Sequence, residues 1–587
     1  MSRDRGRVLL RRLWAVRLLG WLVPGDRRKL HLMAALVGVA GACAAWAFKL
    51  AALGAQFIFT GGHTGGQVAV FQHLPVWQRV LVPALGGLAA GVVLSLGRRA
   101  VTPRDTDYME AVALGDGVVR VRPTLVKSFA ALCSVSSGEV IGREGPLVQL
   151  AALTGSLMGR WRRTPPATLR LLVACGAAAG IASAYHAPLA GALFVAEVVI
   201  GTIAMESLGP LVLASVAAMI TTRMLEGGAA LYALPAVSLE HPARILSYAL
   251  LGAVSGVLAA AWMLLLRQSK RRIGSLPVPL WLRLAAGGVA VGMLAWWQPE
   301  VAGNGGGAIR LLVAGRIPPD TVAVLLGCKI LAAAVVFGSG AVGGVFTPSL
   351  FVGAFSGWLL ANGMNRLWPG LAPESASFAV VGMGAFLAAS TRSPVMAMVM
   401  MLEMTMAYSI ILPLMAATVV AYGVARSLGG GSLYEETLRA GRRGVWDRDL
   451  AAVVVGDICR TREGSVLPKA RFGRVADEFL RAGADEIWVV DESGHWLGSV
   501  MLDDVKPFLK DPLLAETVLA LDLLRDERPV IRDSLPLLDA MAIFLRGDHK
   551  RLPVVDGDGR FAGSLGRADL MLAVSELTRR DGALAVG

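Results

Sequence analysis

Two five-residue stretches carry residue types and a spacing that could do chemistry: Gly142-Arg143-Glu144-Gly145-Pro146 and Gly344-Val345-Phe346-Thr347-Pro348. Both read Gly-x-x-x-Pro and both lie in otherwise apolar sequence. Proline is tolerated in a helix's first turn, and glycine lets the chain before it bend sharply, so each cassette is expected to open a helix. A helix that begins inside a bilayer points unpaired N–H groups and its positive dipole end at whatever sits at that depth. An anion suits that position. Glu144 sharpens the reading, because a carboxylate within a membrane is costly and usually functional. Ionised, it can take the anion's place and block the path; protonated, it leaves. A nearby anion favours the protonated form and the helix N-terminus the ionised one. The plainer alternative is a glutamate that caps its own helix. Arg143 beside it either steers anions or is simply solvated.

These cassettes need a membrane around them, and the composition supplies one. The chain has 587 residues, 55% hydrophobic and 17% charged, with a mean hydropathy of +0.59. Soluble domains usually carry ~25% charged residues. Apolar helices are expected near 32–59, 80–97, 125–139, 147–160, 168–182, 189–203, 208–223, 245–266, 281–297, 321–338, 349–361, 376–389, 393–407 and 410–425. Several are too short to cross a core of ~30 Å, which is allowed only where protein or a water-filled cavity covers the backbone. Glycine- and alanine-rich faces such as 175–180 permit close helix packing. The net charge is +14, and residues 1–30 hold nine Lys or Arg against two Asp. By the positive-inside rule this N-terminus is cytoplasmic. It lacks a cleavable signal-peptide pattern, and beside a membrane segment a nucleic-acid-binding role is the weaker reading. The five cysteines and seven histidines are scattered, which indicates neither a metal site nor a disulfide framework.

The cassettes lie about 200 residues apart, so two homologous halves are expected, roughly 31–225 and 245–434. Each has a second proline motif some forty to fifty residues on, Ala187-Pro188-Leu189-Ala190-Gly191 and Arg392-Ser393-Pro394-Val395-Met396. After about Arg442 charge rises and the apolar runs shrink to strand length. Glu486–Asp491 and Leu552–Asp556 are each followed by a turn, a strand and a helix, a twofold repeat of β-β-α units.

Together these motifs resemble the ClC family of chloride channels and chloride/proton antiporters, most of all its bacterial ClcB subgroup, over residues 30–440. Residues 450–580 resemble a tandem pair of CBS domains. The resemblance implies an all-α multi-pass membrane protein of ClC fold, with two inverted repeats of tilted and broken helices, plus a C-terminal α/β CBS-pair domain. The expected divisions are 1–30, a basic cytoplasmic N-terminus; 31–440, the transmembrane domain; and 441–587, cytoplasmic CBS units near 450–510 and 518–580. It also implies a homodimer in the inner membrane with both termini cytoplasmic, and no enzyme chemistry. Glu144 matches the family's gating glutamate. Val345 and Phe346 would donate backbone N–H groups to the anion, and Tyr434 its phenolic O–H.

Two departures bear on mechanism. Where the family has a Gly-Ser-Gly-Ile-Pro motif this chain has Asp105-Thr106-Asp107-Tyr108-Met109. Thr106 could supply the hydroxyl; Asp107 could cap a helix, yet ionised it would repel chloride, so nitrate or another small anion stays open. The family's proton-relay glutamate aligns with Val198, which carries no proton. Passive, channel-like conduction of chloride or a similar anion is therefore expected, with coupled chloride/proton antiport as the alternative. Glu197 and Glu403 read as structural. Lys127 adds positive potential near the ion path or snorkels. In the tail, Asp504 and Asp569 match positions that contact adenine nucleotides in some CBS units, but Met501 and Gly566 replace the usual hydroxyls; a structural module is the competing reading. A membrane-anchored sensor that reads a ligand through the CBS pair would be a different class, and it would not need Glu144 with both cassettes.

Overall fold

The structure is a computed structural model. It describes residues 26–97, 107–113, 115–227, 231–232, 244–368, 374–429 and 431–434, then 453–459, 464–482, 485–506, 508, 517–525, 529–546, 551–570 and 572–573. The chain divides into two units, Met1–Arg439 and Ala440–Gly587.

The first unit is helical: α1 (Asp26–Thr60), α2 (Gln67–His73), α3 (Val76–Leu96), α4 (Tyr108–Ala113), α5 (Val121–Ser136), α6 (Glu144–Trp161), α7 (Pro166–Tyr185), α8 (Pro188–Phe194) and α9 (Met205–Glu226). It continues with α10 (Arg244–Gly274), α11 (Leu280–Trp297), α12 (Gly306–Val313), α13 (Val322–Ser339), α14 (Phe346–Leu367), α15 (Ser375–Thr391), α16 (Pro394–Thr405) and α17 (Ile411–Ser427). Among the described residues eight helices are long and apolar enough to cross a membrane, and the protein is a multi-pass membrane protein. Each expected apolar run is helical. The short α2, α4 and α12 were not expected, since too few residues separate their breakers for a periodic apolar face to stand out. The expected helix near 189–203 stops at Phe194 and continues as a π-helical turn, Val195–Ile200.

Packing repeats between the halves. In the first, α7 lies against α1, α6, α8 and α9; in the second, α15 lies against α10, α14, α16 and α17. Leu172–Tyr185 of α7 and Ser377–Thr391 of α15 are buried throughout, because small side chains let neighbouring backbones approach. Helices α3 and α11, equivalent by the same correspondence, cross each other through glycines. A Cβ on Gly87 would lie 2.4 Å from the Leu284 carbonyl oxygen, and one on Gly288 would lie 2.1 Å from that of Pro83. Helices α8 and α16 also pack together. Contacts between equivalent elements are what a pseudo-two-fold axis between inverted repeats produces.

In the second unit β1 (Ser465–Val466) pairs parallel with β2 (Glu486–Val490), which pairs antiparallel with β3 (Trp496–Met501). Helices α18 (Phe472–Ala482) and α19 (Leu502–Val505) complete this repeat. Strands β4 (Ile531–Arg532), β5 (Arg551–Val555) and β6 (Phe561–Gly566) form a second sheet of the same topology, with α20 (Leu537–Arg546) beside it. The register shifts at Val489/Val490 in one sheet and at Val554/Val555 in the other. The entry segments are exchanged. Val455 packs into the second core with Leu537, Phe544 and Leu552, and its N–H donates to the Leu535 carbonyl at 2.9 Å. Ala520 and Leu523 pack into the first core with Val475, Ile487 and Val500.

Candidate functional site

Both cassettes do open helices, α6 and α14, and the fold brings their first turns together. The Gly142 N–H donates to the Gly344 carbonyl at 2.7 Å and the Gly344 N–H returns to the Gly142 carbonyl at 2.8 Å. This antiparallel bridge joins equivalent residues of the two halves. Two positive helix ends therefore converge on one spot.

The Glu144 side chain occupies that spot. Its Oε1 accepts the backbone N–H of Thr347 at 3.1 Å, and its Oε2 accepts the Thr347 hydroxyl at 3.2 Å. The carboxyl lies over the glycine bridge, where any Cβ on Gly142 or Gly344 would overlap it. Glu144 thus bonds across to the other half of the chain as well as lying at the head of its own helix.

Glu144 lines two cavities. One, a vestibule of about 370 Å³, is also lined by Arg143, Lys49, Tyr185, Tyr232 and Arg310. The other, a pocket of about 250 Å³, is also lined by Asp107, Lys127, Val345 and Tyr434. Glu144 is common to the linings of both. The N–H groups of Val345 and Phe346 belong to the orphaned N-terminal turn of α14. Phe346 is fully buried, and its ring lies 4.9 Å from Tyr185 and 6.5 Å from Phe194. Phe194 meets Tyr434 edge-on at 5.5 Å. An aromatic file thereby runs from the vestibule to the pocket and holds Tyr434 in place.

Asp107 stands at the start of α4, where its Oδ1 accepts the Tyr108 N–H at 2.7 Å. The same N–H approaches Gln149 Oε1 at 3.1 Å, and Gln149 Nε2 donates to Thr124 at 3.2 Å. Asp107 therefore caps the helix and faces the pocket together. Thr106 lies outside the described residues. Val198 sits buried in the π-helical turn among apolar side chains.

Four residues at or beside this site escape a reading of the sequence: Thr347, Tyr185, Gln149 and Lys329. Thr347 occupies a variable position of its cassette, the only available signal. Lys329, fully buried in α13, donates to the Val301 and Gly303 carbonyls at 2.7 and 2.5 Å and lies 5.2 Å from the Phe351 ring centre. It holds the turn before α12 that borders the vestibule.

Glu197 and Glu403 form a reciprocal clasp. Glu197 accepts the N–H groups of Val395 and Met396 at 3.4 and 2.8 Å, at the start of α16. Glu403, on α16, accepts those of Leu189 and Ala190 at 2.9 Å each, at the start of α8. Each acid satisfies the orphaned donors of the other half's helix and complements its dipole. Glu403→Ala is expected to destabilise the protein by about 1–3 kcal/mol. Its thermal unfolding midpoint in detergent should fall, with Glu403→Gln intermediate. Equal midpoints for all three proteins would remove the clasp from the account.

In the C-terminal unit Asp504 accepts from Arg525 at 2.6 Å. Asp569 accepts the Gly566 N–H at 3.0 Å and faces Arg551 at 3.8 Å. Both aspartates are engaged by their own unit.

Residues 86–426 match the model of the voltage gated chloride channel family, and residues 520–576 match that of the CBS domain. A ClcB-like chloride channel protein of Ralstonia nicotianae is 46% identical over 415 residues, which span 70% of this chain and 96% of the relative. The voltage-gated ClC-type chloride channel ClcB of Citrobacter koseri is 40% identical, over 69% of this chain and 98% of the relative. Among solved structures a slow cyanobacterial Cl⁻/H⁺ antiporter superposes with a TM-score of 0.64 at 24% identity, covering 71% of this chain and 98% of that one. A eukaryotic CLC transporter superposes with a TM-score of 0.59 at 19% identity, covering 92% of this chain and 98% of that one. The structural likenesses establish the fold.

Proposed function

The chain belongs to the ClC family of voltage-gated chloride channels and transports chloride as that family does, and from that premise we propose that Glu144 is the gate of its anion path. The observation that carries this reading is that Glu144 lines both vestibule and pocket, with its carboxyl bonded to Thr347 of the opposing half. Seated and ionised, it fills the place where two helix ends favour negative charge. Protonated, it loses that attraction and gives way to an anion. Tyr434 and the α14 N-terminus then receive the ion, with Lys127 raising the local potential.

Conduction is passive and channel-like on this reading, because Val198, at the relay position, is a buried aliphatic side chain. Coupled chloride/proton exchange is the second reading. One observation favours it: Asp107, a carboxyl on the wall of the same pocket as Glu144, is an acid that could stand in for the relay. Asp107 and Thr106, which replace the usual serine segment, also leave room for a small anion other than chloride. The protein acts as a homodimer in the inner membrane with both termini in the cytoplasm. Its CBS pair serves as a structural module rather than a nucleotide site, a reading supported by the engagement of Asp504 and Asp569.

The test is chloride efflux from proteoliposomes with external pH recorded at the same time. The expected result is chloride flux with no uphill proton movement. Proton movement driven uphill by a chloride gradient would establish the coupled reading. No chloride flux, with flux of nitrate, would point to the Asp107 segment as the selectivity determinant.

A further inference from the structure

We propose that the hydroxyls of Thr347 and Tyr185 set the pH at which Glu144 leaves its seat. The inference rests on the gate reading above. Thr347 grips both oxygens of the Glu144 carboxyl: its backbone N–H holds Oε1 at 3.1 Å, and its hydroxyl holds Oε2 at 3.2 Å. Any residue but proline could supply the first bond. Only a hydroxyl at this position supplies the second.

The direction of the network follows from counting protons. A hydroxyl carries one hydrogen. While Glu144 is ionised it can only accept, so the Thr347 hydrogen points to Oε2. The Tyr185 oxygen, 3.0 Å from Thr347 Oγ1, must then be the donor to it. The file Tyr185 to Thr347 to Glu144 is polarised toward the carboxylate, and each bond strengthens the next. All three side chains are buried, so little water competes with them. The Tyr185 ring is held against Phe346 at the end of α7, which fixes its oxygen where Thr347 needs a donor. Protonation of Oε2 turns it from acceptor to donor, so the Thr347 hydroxyl loses the charged acceptor that its bond at 3.2 Å was made to. The seat is therefore built for the charged form of the gate.

Other charges share the two cavities. Arg143, Lys49, Arg310 and Glu226 border the vestibule, and Asp107 and Lys127 the pocket. The phenols there are Tyr232 on the vestibule side and Tyr108 and Tyr434 on the pocket side. Among the described residues only Thr347 hydrogen-bonds to the Glu144 carboxyl from the opposing half. Substitution at Thr347 or Tyr185 leaves all those charges in place.

The test is chloride flux through the full chain in proteoliposomes, at equal pH on both sides, across a pH series. Thr347→Val keeps the side chain's shape and removes the hydroxyl that favours the ionised carboxyl. Glu144 then protonates at higher pH, so the opening midpoint should rise by about one pH unit. Tyr185→Phe should move it the same way by less, and Thr347→Ser should restore it. In a Glu144→Gln background Thr347→Val should bring back no pH midpoint, whatever it does to the level of flux. An unmoved or lowered midpoint in Thr347→Val, with pH dependence lost in Glu144→Gln, overturns the inference and leaves the gate standing. If Thr347→Val does not fold, Tyr185→Phe decides by the same criterion. A Glu144→Gln protein that keeps the native pH profile removes the gate reading, and the inference with it.

Discussion

Glu144→Gln is expected to hold the chloride path open at every pH. Glutamine matches glutamate in size but cannot ionise, so it cannot be drawn to the convergent ends of α6 and α14 as a carboxylate is. It can still accept from the Thr347 N–H, but a neutral acceptor there forms a bond roughly half as strong. In the native protein the protonated fraction of a carboxyl rises about tenfold per pH unit as pH falls toward its midpoint, and levels off below it. Native flux should therefore climb steeply as pH falls, from a closed state in which the Glu144 carboxyl is bonded to Thr347. In the variant, flux between about pH 4 and about pH 8 should vary by less than about twofold and should sit near the native acid maximum. The measurement is initial chloride efflux from liposomes at matched protein density. A variant whose flux still climbs on acidification would place the pH sensor elsewhere, with Asp107 the next residue to change.

The second large effect is expected at a glycine. A Cβ on Gly344 would lie 2.3 Å from Glu144 Oε1 and 2.4 Å from its carboxyl carbon. The backbone there lies outside the positive-φ region, so alanine fits the chain itself, and the three atoms nearest the new methyl all belong to the Glu144 side chain, its Cγ at 2.6 Å among them. The carboxyl ends a flexible side chain and can swing off, at the cost of both bonds to Thr347. Gly344→Ala should therefore raise chloride flux at alkaline pH several-fold, as Glu144→Gln does, although the acid remains. The decisive comparison is a double-mutant cycle. With Glu144→Ala already in place, the new methyl has room, and Gly344→Ala should add nothing. Flux that falls in both backgrounds would mean the methyl obstructs the path itself, and the glycine would then serve the conduit rather than the seat of the gate.

Local pattern carried the apolar helices, the helix-opening cassettes and the strand-and-turn pattern of the tail. Apolar run length, glycine and proline breakers and charge density act over about ten residues of chain, so one sequence exposes them. The position of Glu144 at the head of a helix was legible for the same reason. What the carboxyl does there was not, because its partner lies 203 residues away in the other half. The 162-residue separation of Tyr185 and Thr347 hides their contact equally well, and so does the 214-residue separation of Glu403 and Leu189. A threonine before a proline looks like any helix-opening residue. A glutamate on an apolar helix looks like any buried acid. Their pairing exists only once inverted halves fold against each other and bring equivalent residues to a common axis.

The tail divides along the same line. Its strands and turns stand out in sequence, whereas the exchange that puts Val455 in the second core and Ala520 in the first does not. By itself the sequence determined where helices break, which residues are apolar and which acid stands at the head of an apolar helix. Tertiary structure decided which oxygen meets which donor, because hydrogen-bond partners across a fold are set by packing, and packing is not local.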